Sequence, residues 1–296
     1  MKKFIIAVAG SAAAFAIGPA LAADMPLKAP PAPAPVVTWT GGYLGVGIGG
    51  EWGSTRWTTT CFASEDDPTV PGSCANPLDV IDRSSPYTFK TTSLRETMYG
   101  GFNLQTNNWV WGLEVQFGYS SGHRTINGIP GCITSGCIGN GESTVVRLDY
   151  DGSMRARAGY VVTPNLLAYG TTGLAFQTFR STVNCFADVS LVCATGYLST
   201  ANAHSTMFGW TGGGGLEWRY RQYIFRGEYR YSDYGHTDVS YFQPDSSLSQ
   251  GIHARLHTTT NIAYFGMSYL WGPLGSESGG GGGGRGGGGG GGEEIQ

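Results

Sequence analysis

The stretch Arg147–Val162, RLDYDGSMRARAGYVV, decides how the chain is read. Taken alternately, Leu148, Tyr150, Gly152, Met154, Ala156, Ala158, Tyr160 and Val162 form a set that tolerates an apolar environment. Arg147, Asp149, Asp151, Ser153, Arg155, Arg157 and Gly159 form a second set that is polar or charged almost throughout. A β-strand sends alternate side chains to opposite faces, so this segment is a strand with one greasy and one ionic face. In a soluble sheet the greasy face would cover a core. In an outer-membrane barrel it would meet lipid, and the ionic face would line the interior. The rest of the chain chooses between the two.

The chain opens MKKFIIAVAGSAAAFAIGPALA, with Lys2 and Lys3 ahead of an apolar run and Ala20-Leu21-Ala22 as a small-x-small site. This reads as a secretory signal peptide over residues 1–22, with the mature chain starting at Ala23. Residues 23–37 are a Pro/Ala-rich periplasmic leader, extended rather than packed. Residues 272–296 are almost all Gly, a tail that cannot bury apolar surface and is expected to be disordered. The domain between them covers residues 38–271.

Composition fits a barrel. The chain carries 49 Gly, 12% aromatic and 13% charged residues, and a net charge of −3. Small residues suit a narrow interior and aromatics suit membrane interfaces. The net negative charge argues against nucleic acid as a partner. The cysteines fall as local pairs, Cys61 with Cys74, Cys132 with Cys137 and Cys185 with Cys193, each in a Pro-, Gly-, Asn- or Ser-rich segment. An exported chain meets an oxidising compartment, so three loop disulfides are expected. Zinc would want C-x-x-C groupings, which are absent, and no metal is expected.

Alternation recurs along the body: Thr38 to Trp52, Ser93 to Gln105, Trp109 to Ser120, Arg147 to Val162, Leu166 to Phe179, Met207 to Arg219, Tyr223 to Asp233, and a last strand ending at Trp271. Short turns at Thr106–Asn108, Thr163–Asn165 and Tyr220–Gln222 alternate with long connections, among them Gly53–Lys90 and His236–Ala254. Gly45, Gly47 and Gly50 match G-x-G-x-x-G, but they lie inside an alternating strand and not between a strand and a helix. The spacing therefore predicts an all-β fold, an up-and-down antiparallel transmembrane barrel of about eight strands. The short turns belong in the periplasm and the long loops outside.

The motifs WTGGYLGVGIGG, YGGFNLQTNNWVWGLEVQF, RARAGYVVTPNLLAYGTTGLAF, GWTGGGGLEW and FRGEYRYSDYG resemble the small porin-family, outer-membrane immunogenic proteins of alphaproteobacteria, distant relatives of the OmpA transmembrane domain. The likeness spans Thr38 to Trp271. It implies localisation in the cell outer membrane, a monomer surrounded by outer-membrane lipid and lipopolysaccharide, and delivery by the barrel-assembly machinery. Host or surface ligands would be met by the outer loops. The family usually ends on an aromatic residue; here the matching aromatic is Trp271, followed by the Gly-rich tail, and the three Cys pairs are also unusual for it.

Inward positions hold Glu114, Asp149, Asp151, Arg155, Arg157, Glu217, Arg219, Arg226, Glu228 and Arg230. A barrel of about eight strands is just wide enough for side chains to fill it. These charges are therefore expected to pair as Arg–carboxylate bridges and plug the lumen, giving a structural, surface-exposed envelope protein. The alternatives are a small porin conducting ions or small solutes, and a haem- or ligand-binding surface receptor. His123, His204, His236, His253 and His257 all fall near the outer rim, without a ligand pair fixed on a strand. No Ser/His/Asp arrangement points to catalysis, and no cofactor is expected. Leu113 is expected to face lipid, and inward Gln116 to accept polar replacement.

Overall fold

The computed structural model describes residues 38–62, 81–133, 141–186, 198–242 and 251–272. The segments read as a signal peptide and a leader, Cys74, Cys137, Cys193 and nearly all of the Gly-rich tail lie outside these residues. The described chain is all strand: β1 Gly41–Phe62, β2 Tyr87–Thr106, β3 Trp109–Ser120, β4 His123–Asn127, β5 Ser143–Thr163, β6 Leu166–Phe186, β7 Leu198–Tyr220, β8 Tyr223–Tyr241 and β9 Ile252–Trp271. Each pairs antiparallel with its neighbours in the order β3-β2-β1-β9-β8-β7-β6-β5-β4. The pairing of β3 with β5 closes the ring. β3 and β4 are two pieces of one stave, because both pair with β5, β3 against Tyr150–Tyr160 and β4 against Ser143–Arg147. The barrel therefore has the expected eight staves, one of them broken at Ser121-Gly122.

Two girdles mark a membrane zone. At the short-turn end Trp109, Tyr160, Trp218, Tyr220, Tyr223 and Trp271 are exposed; further up stand Trp52, Tyr119, Tyr150 and Trp210. Trp109 and Tyr119 are about ten residues apart on one strand, the length a tilted strand needs to cross a bilayer. Between the girdles the outward side chains are apolar and bare, with Leu113 and Phe117 each 57% exposed and Phe265 79%. Bare aliphatic and aromatic surface of this extent is stable only against lipid. The left-handed backbone at Asn107 (φ 53°) makes one of the tight turns, a conformation that Asn tolerates.

The strands are longer than alternation indicated. β1 continues from Trp52 to Phe62, β6 from Phe179 to Phe186, β7 begins at Leu198 and β9 at Ile252. These extensions form a collar beyond the outer girdle. In it the pattern inverts. Along β9, outward positions run His253, Arg255, His257, Thr259 and Asn261 before switching to Ala263, Phe265, Met267, Tyr269 and Trp271, while Ile252, Ala254 and Leu256 point in. The reason is the medium: polar groups face water above the membrane and the interior must then be apolar. The described flanks of the connections expected over Gly53–Lys90 and His236–Ala254 are strand, with a polar outward face that does not match the lipid-facing pattern.

On β5 the alternation itself breaks. A register shift between Leu148 and Asp151 turns the upper strand over. Leu148, grouped with the lipid-facing residues, is fully buried inside, and Arg147, grouped with the inward ones, is exposed. A bulge adds one residue to one side of a ladder and so exchanges the two faces beyond it.

Candidate functional site

The interior is filled in three layers. At the short-turn end Trp39, Tyr43, Tyr99, Val110, Leu167, Ile224, Ile262, Tyr264 and Leu270 form a buried cluster. Inside the collar a second cluster, with Trp57, Phe89, Val146, Leu148, Phe179, Tyr241 and Leu256 among its members, caps the other end. Between them lies a lattice of charges.

Its lower tier joins three arginines to three glutamates. Glu114 Oε2 accepts from Arg226 Nη2 at 2.7 Å, and its Oε1 from Arg155. Arg155 Nη1 reaches Glu228 Oε1 at 2.5 Å. Arg226 Nη2 and Nε donate to Glu217 Oε1 at 2.6 and 2.8 Å, and Arg157 Nη2 lies 2.8 Å from Glu217 Oε2. Phenols complete the coordination: Tyr43 donates to Glu114 Oε2 and Tyr169 to Glu228 Oε2, each at 2.6 Å. The Arg226 guanidinium stacks over the Tyr99 ring at 4.1 Å and that of Arg157 over Tyr169 at 4.2 Å. The upper tier joins two arginines to two carboxylates. Arg95 grips Asp151 with Nε and Nη2 at 2.9 and 2.7 Å and lies 3.4 Å from Glu51, while Arg230 Nη2 donates to Asp151 at 2.8 Å. Gln116 links the tiers by accepting from Arg155 at 2.7 Å and Arg230 at 2.8 Å and donating to Thr97.

Formal charges balance tier by tier, and none of these ionisable side chains is more than 2% exposed. Ions this buried are stable only with multiple short partners, which Arg supplies through its planar fork. Glycine makes the room. A β-carbon at Gly118 would collide with the Arg95 guanidinium, and one at Gly266 would stand 2.6 Å from Tyr99 Oη.

Glu114, Asp151, Arg155, Arg157, Glu217, Arg226, Glu228 and Arg230 are thus brought together. Two expected members are not. Asp149 sits at the β5 bulge and pairs with Arg180 Nε at 2.9 Å; its own side chain is 9% exposed and that of Arg180 61%, so it turns from the lattice toward an outward-facing arginine. Arg219 donates to the backbone oxygens of Arg221 and Thr38 at the short-turn rim and to no carboxylate among the described residues. Glu51 and Arg95 were missed as lattice members, although Arg95 is the next inward position after Thr97 and Tyr99 and alternation would have reached it. Gln116 is not the permissive inward position expected, since its amide is held on both sides.

The histidines lie on the collar. His236 and His257 stack at 4.5 Å, His257 Nε2 is 2.9 Å from Asp233, and His253 Nδ1 is 2.8 Å from Ser240 Oγ; His123 and His204 are exposed. Among the described residues no three His, Cys, Asp or Glu side chains gather as a metal site. Cys61, Cys132 and Cys185 are buried at the collar, and none is a free thiol.

The family model for the outer membrane protein beta-barrel domain matches residues 9–269. The 31 kDa outer-membrane immunogenic protein of Brucella melitensis biotype 1 is 33% identical over 241 residues, 79% of this chain and 88% of that protein. The 22 kDa outer membrane protein of Rhizobium leguminosarum bv. viciae is 31% identical over 52% of this chain and 58% of its own. Among solved structures, the outer membrane protein OprG of Pseudomonas aeruginosa aligns with a TM-score of 0.45 at 13% identity, over 78% of this chain and 97% of that one. The family rests on the sequence matches and on the closed, lipid-faced ring: the chain belongs to the outer membrane β-barrel proteins and resides in the outer membrane.

Proposed function

We propose that this protein is a sealed barrel that serves as an envelope component and surface scaffold, not as an open channel or an enzyme. The observation that carries the reading is the continuous filling of the interior, from the Trp39–Tyr99 cluster through the neutral charge lattice to the apolar cap at Trp57 and Tyr241. A conducting path would have to part the charge pairs and also thread both apolar clusters. The polar outer surface of the collar suits contact with the medium, in keeping with relatives named as immunogenic proteins. The collar cysteines are assigned to the disulfides Cys61–Cys74, Cys132–Cys137 and Cys185–Cys193, which would tie the loops at the strand tips; a non-reduced digest showing other pairs would contradict this. The test of the main reading is single-channel recording on purified, refolded protein. Conductance should be absent or brief and flickering. Arg226→Ala with Arg230→Ala alone should raise it little, because an apolar cluster remains at each end; adding Trp57→Ala and Tyr241→Ala should raise it further, with the Trp39–Tyr99 cluster left as the last barrier. A large, steady conductance from the wild-type monomer would overturn the sealed barrel and put the porin reading first.

A further inference from the structure

On β2 a charge interrupts the lipid-facing wall. Glu96 points outward and is exposed, with Leu94 on its collar side and Met98 on its short-turn side, both exposed on the same face. Outward residues become polar only beyond Leu94, at Thr92 and Lys90. In register Glu96 stands between Ile48 on β1 and Tyr119 on β3, and its diagonal neighbours Val46, Gly50 and Phe117 are uncharged as well. Arg95 is next in sequence, but it faces the interior and is already held by Asp151 and Glu51. Among the described residues nothing pairs with the Glu96 carboxylate.

The same residue lines a hollow of about 760 Å³ in the wall, where it is the one charged group among mostly apolar neighbours such as Val46, Phe117 and Phe265. Beside the carboxylate are two phenol rings. Tyr119 lies opposite Glu96 and Tyr150 opposite Tyr119, and the two rings are 5.1 Å apart between centroids. Both line the hollow and both are exposed.

This combination selects a class of ligand. A carboxylate turned toward lipid is disfavoured, and a cation that enters beside it offsets that cost. A divalent metal ion wants several oxygen ligands, whereas Glu96 offers one carboxylate, and no three His, Cys, Asp or Glu side chains gather among the described residues. An ammonium needs less: one carboxylate to accept its N–H groups and the faces of nearby rings. The hollow opens sideways into the bilayer, and its apolar lining suits a hydrocarbon chain. The cation therefore arrives as the head of a lipid.

We infer that this hollow is a docking site for a membrane lipid with an ammonium head group. The ammonium donates to the Glu96 carboxylate and lies against Tyr119 and Tyr150, while an acyl chain covers Met98, Phe117 and Phe265. Any acyl chain can cover the apolar part, so selection rests on the head. The site belongs to the wall and does not depend on whether the lumen is sealed.

The experiment is native mass spectrometry of the refolded, full-length protein released from detergent micelles. The probes, at equal concentration, are dipalmitoyl phosphatidylethanolamine, its N-acetylated derivative and hexadecyltrimethylammonium. The acetylated lipid keeps the chains and the phosphate and loses the ammonium. The wild type should retain phosphatidylethanolamine about tenfold more than the acetylated lipid. Glu96→Gln should erase that preference, and Tyr119→Leu with Tyr150→Leu should reduce it. Asp238→Asn, at an exposed carboxylate already paired with Arg255, should leave it unchanged. Heat-modifiable gel migration checks that each variant is folded, and the comparison of the two lipids on the wild type needs no variant. Equal retention of the two lipids, or a preference that survives in Glu96→Gln, would overturn the inference. Retention of hexadecyltrimethylammonium without a preference for phosphatidylethanolamine would also overturn it, by assigning the hollow to an external amphiphile.

Discussion

Glu114 is the residue on which the interior turns. It is fully buried and meets Arg155, Arg226 and Tyr43 within hydrogen-bond distance, with Arg157 at 3.6 Å. Removing its charge leaves guanidiniums buried without compensation, which typically costs about 3–5 kcal/mol. Glu114→Gln should therefore lower unfolding stability by roughly this amount in denaturant titrations of the barrel in lipid vesicles. Asp149→Asn, which breaks a single pair whose arginine is largely exposed, should cost clearly less. Equal losses at the two sites would mean that the lattice is solvated. On the lipid face, Leu113→Arg should cost about 2–4 kcal/mol, as expected for a cation near the bilayer midplane. Gln116→Leu, although inward and isolated from lipid, should also destabilise, because Arg155 and Arg230 lose an acceptor.

At the scale of the strand, a single element serves two media. β1 shows this without any change of phase: Tyr43, Gly45, Gly47, Gly49, Glu51, Gly53, Thr55, Trp57 and Cys61 all lie on the inward face, polar or small low down and bulky above. Outward, Leu44, Val46 and Ile48 give way to Ser54, Arg56, Thr58 and Thr60. Trp57 is fully buried, stacks on Tyr241 at 5.4 Å and donates from Nε1 to Thr59 at 3.0 Å. Trp57→Ala should destabilise by about 3–5 kcal/mol and make the collar the first region cut by protease. The neighbouring Thr58→Lys, on the outward face, should leave the protease pattern unchanged. If both variants digest alike, the collar interior is not packed as described.

For the whole molecule, the two ends of the barrel differ in length, and this orients it. An epitope inserted after Arg83, an exposed turn at the collar, should be reached by antibody on intact cells; one inserted after Asn165, in a short turn, should be reached only after permeabilisation. The reverse result would invert the topology. The strands within the membrane, their facing and the short turns were legible in the chain because they depend on local alternation and on turn residues such as Asn107. Alternation also collected most of the charges that meet inside, since residues facing one way from eight staves must share one interior. What local pattern does not contain is which stave meets which, and at what height. The bulge after Leu148 that turns Arg147 outward and Asp149 toward Arg180, and the convergence of Arg95, Asp151 and Arg230 from three strands, follow from register. Register is set by closure of the ring and by the packing of its interior, so those features were decided by the tertiary structure alone.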